Sequence, residues 1–316
     1  MLIRLTVVGS INLGFSMQAE RMPVSGENVR AEDLELAPAG EGALQAIAAA
    51  RLGAEVTLVG CVGHDSHGQV LRRRLSHEGV NVKYLATDAE VGTGMAFEVV
   101  ADHHHRVFSV LDANLRCTPE HIESTHRAFE RAGFVLLSLG LPEDTVNRAL
   151  QVSADCEVQV LLQPAPLSKK PPQLWNRANL LTPSRVAAAR LSGKPTEDQA
   201  GLVAALEKLR ARGLDRVALP LGAGGCLLAD AEGLRQIPGF PVPPVDPCGA
   251  EEAFAAALAL RLAEEAGLEE AATFACATAA LTAGGKGALA ALPTRAAVEE
   301  LLKKSRRGGA PRVKRL

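Results

Sequence analysis

Short β-branched runs alternate with alanine-rich apolar stretches along most of these 316 residues, and that order limits the architecture more than any other feature. Leu5–Gly9 is a β-branched run closed by glycine, the pattern of a buried strand. Gly42–Leu52 is continuously apolar and reads as a buried helix; Glu55–Gly60 reads as the next strand and Gly68–Glu78 as the next helix. Further strands are expected near 133–139, 157–163, 179–182, 216–221 and 225–229, with helices between them. This succession predicts a mainly parallel sheet covered by helices on both faces.

Two stretches interrupt the pattern. Residues 13–38 mix Met, Pro, Gly and polar residues with short apolar pieces, which suits exposed strands and turns. Met95–Val100 and Arg106–Leu111 read as a hairpin around Ala101–His105. The adjacent His103, His104 and His105 would point to alternating faces of such a hairpin, so they do not converge on one metal ion. Aromatic residues are only 3% of the chain, which leaves Ala, Leu and Val to build the core. No apolar run approaches the roughly 20 residues that span a bilayer, and the N-terminus lacks signal-peptide architecture. Six scattered cysteines without a C-x-x-C pair read as reduced thiols of a cytoplasmic protein. The net charge of −2 does not advertise nucleic acid or membrane. Residues 303–316 carry seven Lys and Arg and no acid, and read as a solvated basic tail.

Six motifs occur in an order that resembles the ribokinase (PfkB) family of carbohydrate kinases. They are Gly9-Ser10-Ile11-Asn12, Ala39-Gly40-Glu41-Gly42-Ala43-Leu44-Gln45-Ala46, Val62-Gly63-His64-Asp65, Gln163-Pro164-Ala165-Pro166, Leu221-Gly222-Ala223-Gly224-Gly225, and the closing Lys286-Gly287-Ala288 through Arg295. Val245-Asp246-Pro247-Cys248-Gly249-Ala250-Glu251-Glu252-Ala253-Phe254 is similar to that family's V-D-x-x-G-A-G-D-x-F. The resemblance implies a three-layer α/β/α sandwich with a small β lid. It assigns residues 1–12, 39–92 and 112–302 to the main domain, and 13–38 and 93–111 to the lid. It also implies ATP and Mg2+ as cofactors, a monovalent cation near Asp246, a small-molecule ligand, and a homodimer joined through the lid.

The same resemblance places an anion hole at Gly249, Ala250 and Glu251, with Glu252 at the position of the base that deprotonates the sugar. It puts Asn12, Gly14, Gly40, Glu41, Gly42, Leu44 and Gly140 in the substrate pocket, and Ser184, Ala187, Gly222 and Gly225 at the nucleotide. Departures from the family pattern gather at these positions. Gly14 stands for an Asp, Glu41 for a Lys, Leu44 for an Asn and Gly140 for an acid, and Ser184 and Ala187 replace the Asn and Glu of N-x-x-E. Two glycines and a leucine imply a larger, more apolar pocket. Glu251 adds a carboxylate at the positive end of a helix, where it would cap the helix and compete with phosphate. Glu252 is one methylene longer than the Asp it replaces.

Three readings follow. The first is a family member with weak or no sugar kinase activity. The second is an ATP-dependent phosphotransferase acting on an unusual small molecule. The third, a nucleic-acid-associated protein using the basic tail, has no aromatic residues near the tail to support base stacking. Cys248, close to a helix start, has no histidine beside it in sequence to activate it as a nucleophile.

Overall fold

The computed structural model describes residues 2–101, 104–167, 172–307 and 313–316. Its centre is strand β1 (Arg4–Val8), buried from Leu5 onward. Parallel to it on one side lies β4 (Glu55–Gly63), which also pairs with two short parallel strands, β5 (Val80–Asn81) and β6 (Leu85–Asp88). On the other side β9 (Phe134–Ser138), β10 (Val160–Gln163), β11 (Leu180–Leu181) and β12 (Val217–Pro220) follow in parallel order. The sheet then turns antiparallel through β13 (Cys226–Asp230), β14 (Gly233–Ile237) and β15 (Lys314–Arg315).

Each central strand divides its side chains between two cores, as the two-residue period of a strand requires. Leu5 and Val7 of β1, Leu58 of β4 and Leu136 of β9 enter one core, with helices α1 (Glu41–Arg51), α2 (Ser66–His77), α8 (Ala250–Ala263), α9 (Leu268–Ala283) and α10 (Arg295–Arg307). Val8, Val59, Val135 and Leu137 enter the other. That core is closed by α3 (Pro119–Ser124), α4 (His126–Glu130), α5 (Glu143–Asp155), α6 (Arg185–Ser192) and α7 (Gln199–Arg210). Alanine does much of this packing: α8 buries Ala253, Ala255, Ala256, Ala257 and Ala259 completely, so helices approach the sheet closely with few aromatics.

A second sheet stands off the carboxyl end of β1. It contains β2 (Asn12–Ala19), β3 (Ala31–Ala39), β7 (Gly94–Ala101) and β8 (His104–Val110), in the order β3-β2-β7-β8. β2 runs parallel to β7, and the two outer pairs are antiparallel. The link to the main domain is fixed by Asn114, fully buried, whose amide donates to the carbonyl of Ile11 and to Oδ1 of Asn12 while its oxygen accepts from Ile11 N–H.

The basic C-terminal segment differs from the expected free tail. Residues 303–307 continue α10, and Lys314–Arg315 add a short strand to the edge of β14, with Leu316 N–H donating to the Leu234 carbonyl. Unpaired backbone groups on the β14 edge provide the partner that composition alone does not reveal. His103 lies outside the described residues.

Candidate active site

The main sheet changes direction at β1, since the chain passes from β1 to β4 on one side and later to β9 on the other. Crevices at such reversals, beyond the carboxyl ends of parallel strands, collect ligands. Here the crevice meets the inner face of the four-stranded sheet. The registers Gly14↔Ala37, Gly14↔Ala96 and Glu98↔Val107 place Gly14, Ala37, Ala96, Glu98 and Val107 on one side of that sheet, and all five line a cavity of about 710 Å³.

Two helices start at the floor of this cavity. α1 opens at Gly40, whose φ of 88° is in the left-handed region, and a Cβ there would come within 2.8 Å of the Ser10 carbonyl. α8 opens at Gly249 with a φ of 76°. The first turn of α1 carries Glu41, and the first turn of α8 carries Glu251 and Glu252. Ser10 Oγ donates to Glu41 Oε2 at 2.6 Å. Gln45 of α1 donates to Gln163 Oε1 at 2.6 Å, and Gln163 Nε2 donates to Glu252 Oε1 at 2.9 Å. This amide relay ties α1, β10 and α8 together and aims Glu252.

Helix N-termini stabilise carboxylates and lower their pKa. Here the opposite wins. Burial, then Glu251, then Glu41 push Glu252 up to about 8, against the opposing pull of its own N–H and Gln163. Burial and Glu41 raise Glu251 to about 6, although its side chain is open to the water of the cleft. Among the described residues Glu251 has no hydrogen-bond partner. It therefore does not cap α8 through its side chain as the sequence suggests, and its effect there is purely electrostatic.

Asn12, Gly14, Gly40, Glu41, Leu44, Ser184, Gly222, Gly225, Gly249, Ala250, Glu251 and Glu252 all line the cavity. Gly42, Gly140 and Ala187 do not. Gly42 lies in the first turn of α1 on its sheet-facing side, where a Cβ would lie 2.6 Å from the carbonyl carbon of Gly9, so it permits the helix to approach the end of β1 closely. Ala187 is buried, and Ser184 caps α6 by accepting from the Ala187 N–H. Gly14 and Gly140 do not by themselves open space in the cavity. A Cβ at Gly14 would meet the Ala39 methyl at 2.8 Å, and one at Gly140 would meet the Ser10 side chain at 2.5 Å. Neighbouring residues occupy both volumes.

Asp246 is buried and both its oxygens accept backbone N–H groups, from Cys248 and Gly287 at 3.0 Å each. That fixes the turn before α8 against the loop after α9. Cys248 donates to Glu98 of the four-stranded sheet, and burial with Glu98 holds the thiol far above its ordinary range, which removes it as a nucleophile. Sequence reasoning missed Glu98, Ser10 and the amide of Gln163 as site groups. Ser10 and Gln163 lie within the family-like motifs without a role assigned to them, and Glu98 shows only as a lone acid in the apolar run Met95–Val100.

The sequence profile described as pfkB family carbohydrate kinase matches residues 3–295. The chain is 30% identical over 299 residues to the ribokinase of Haemophilus influenzae, covering 94% of this chain and 98% of that one. It is 32% identical over 296 residues to the ribokinase of Bacillus subtilis, with coverage of 94% and 98%. Among solved structures it resembles Arabidopsis thaliana ribokinase complexed with ribose and ATP, with a TM-score of 0.87, 30% identity, and coverage of 96% of this chain and 99% of that one.

Proposed function

The chain belongs to the pfkB family of carbohydrate kinases, and we propose that it is a small-molecule-binding member in which phosphate transfer from ATP to a sugar such as ribose is weak or lost. The observation that carries this reading is the meeting of Glu41, Glu251 and Glu252 at the two helix N-termini. By the family resemblance, a transferred phosphoryl group would lie at this spot, among unpaired N–H groups. A phosphate arriving here faces the acidic side chains of Glu41, Glu251 and Glu252 as well. A general base must be ionised and within about 2.6–3.2 Å of its proton. With a pKa near 8, Glu252 is mostly protonated at neutral pH.

The cleft fits half of a nucleotide. Gly222, Ala223, Gly225, Val186, Phe240 and Val242 form an apolar, glycine-flanked wall against which a flat ring would lie. Among the described residues that line the cleft there is no Lys, Arg or His, so the triphosphate half lacks cationic support. Family resemblance keeps a monovalent cation beside Asp246 as a candidate, within a turn that Asp246 already orders. No helix among the described residues is long and apolar enough to cross a membrane. A cytoplasmic location and a homodimer joined through the four-stranded sheet belong to the same proposal.

A coupled assay with ribose, fructose, ATP, Mg2+ and K+ tests the reading. The expected result is no turnover approaching the about 1–100 s⁻¹ usual for kinases; a rate in that range on either sugar overturns it. In parallel, Glu251→Gly should tighten ATP binding several-fold by calorimetry, since one carboxylate leaves the helix terminus, whereas Glu252→Asp should leave ATP affinity nearly unchanged. Glu251→Gly should also cost the fold about 0.5–1 kcal/mol through the added glycine.

A further inference from the structure

The cleft has a one-sided charge. Glu35, Glu41, Glu98, Glu251 and Glu252 all line it, and no described Lys, Arg or His does. The remaining walls are largely apolar, including Leu44, Phe240, Val242, Phe254 and the alanines of α9. Lys286, next to Gly287, where a Cβ would come within 2.9 Å of the Glu35 carboxylate, forms an ion pair with Asp33. Two helix N-termini supply about +0.5 charge each. That is roughly one positive charge against three carboxyl groups, of which Glu252 is mostly protonated at neutral pH until a cation draws it into the ionised form.

We propose that the ligand of this cleft is an organic cation, an amine or diamine on an apolar frame, whose ammonium group sits among Glu41, Glu251 and Glu252. The proposal rests on the reading that this cleft is the protein's ligand site, and it names the chemical class of the ligand. An ammonium taken out of water needs paired charge and several acceptors, and these three side chains from two helices supply both. The cavity volume, about 710 Å³, lies within the range of small-molecule pockets, and its apolar walls reward a hydrocarbon frame.

A small metal ion fits the same three residues poorly. The described groups of three or more ligating side chains whose donor atoms all approach within 4.8 Å of one another comprise Glu98, Asp246 and Cys248 alone. The oxygens of Glu41, Glu251 and Glu252 do not close to that degree, which suits a cation with several N–H donors over a bare ion. Glu98, on the four-stranded sheet and bonded to Cys248, adds a further acidic group for the other end of a diamine.

The groups facing this site are Glu41 from α1, Gln163 from β10, Glu98 from β7, Glu35 from β3, and Asp246 and Cys248 from the turn before α8. None of them is a base that would compete for the carboxylates. Cation binding therefore favours ionised Glu251 and Glu252, strengthens as pH rises, and releases protons.

The test is a thermal-shift and calorimetric series on the full chain with α,ω-diamines and monoamines of two to eight carbons, each matched by the diol or alcohol of equal length. At least one amine should bind ten-fold or more tighter than its neutral match. Its affinity should rise about ten-fold from pH 6 to pH 8.5, with proton release. Glu251→Gln and Glu41→Gln should each weaken it at least five-fold while retaining the wild-type circular dichroism spectrum. Equal binding of amine and alcohol, or no binding in the whole series, overturns the proposal. So does displacement of the amine by stoichiometric Mn2+, which would make this a metal site. Ribose turnover in the coupled assay would instead overturn the reading of weak kinase activity, so the two failures are distinguishable.

Discussion

Glu252 shows how burial reverses the usual effect of a helix N-terminus. Its pKa rises from an ordinary 4.5 to about 8, so the folded state holds a proton that the unfolded chain releases between those values. The stabilising effect of that proton is complete below pH 4.5 and is lost as pH climbs through 8. Wild-type stability should accordingly fall across this window. Glu252→Gln, which keeps the amide contact to Gln163 without a charge, should flatten that part of the profile and raise stability above pH 8 by a few kcal/mol, on the order of 1.4 kcal/mol per pKa unit. Urea titrations at pH 5, 7 and 9 for both proteins check it; parallel pH profiles would show that Glu252 ionises normally. Gly14 is confined by the Ala39 side chain. Restoring a side chain there by Gly14→Asp should cost about 1–3 kcal/mol from overpacking against the Ala39 methyl. Adding Ala39→Gly should recover most of that loss, and melting temperatures of the single and double variants read it directly. The sequence showed the glycine but not its neighbour's methyl, because the contact crosses a strand register that no motif encodes.

At the scale of elements, the strands and helices of the parallel core were legible because their apolar runs and glycine stops reflect burial on both sheet faces. The edge of the sheet was not. β14 reads in sequence as a mixed polar segment, yet its Arg235 is the largest fully buried side chain among the described residues. Asp230 lies 2.5 Å and Glu232 2.7 Å from its guanidinium, each accepting a hydrogen bond. Glu269, at the start of α9, lies 2.9 Å from Nε, off the N–H direction, so it contributes charge without a well-directed bond. Charge pairing of this sort depends on the antiparallel turn between β13 and β14, which brings residues 230 and 235 together. Arg235→Ala should destabilise by about 3–5 kcal/mol, because Asp230 would remain largely buried and unpaired. Chemical denaturation with an unchanged slope would measure it. A loss under 1 kcal/mol would mean that water replaces the guanidinium at that edge. The basic terminal segment belongs here too: Lys314–Arg315 find backbone partners on β14, a contact set by geometry and invisible to charge counting.

At the scale of the whole molecule, the four-stranded sheet turns one face to the cleft and the other away from it. The outward face contains Phe15, Leu36, Phe97, Phe108 and Val110, by the registers Phe15↔Leu36, Phe15↔Phe97, Phe97↔Phe108 and Met95↔Val110. Three of the chain's eight phenylalanines therefore gather on one small sheet, with the Phe15 and Phe97 rings stacked 5.2 Å apart. Phe108 is 63% exposed and Leu36 41%. Phe15 and Phe97 are half-buried, with Phe15 also packed against the main core, so the exposed part of the patch is Phe108, Leu36 and Val110; an apolar patch with unpaired strand edges beside it favours association. A second copy of the chain, docked face to face through this sheet, would cover the patch and the edge strands β3 and β8 together. The same docking would hold the inner face, with Glu98 and Glu35, firmly over the cleft. Light scattering should thus report twice the 33.1 kDa chain mass. Phe108→Glu places like charges opposite one another across a two-fold interface and should shift the protein to the single-chain mass. Because that position faces away from the cavity, the core should keep its stability, while ligand affinity should fall as the sheet above the cleft loses its support. A wild-type protein that runs as a single chain at micromolar concentration would overturn the dimer, and a dimeric Phe108→Glu variant would move the interface to another face.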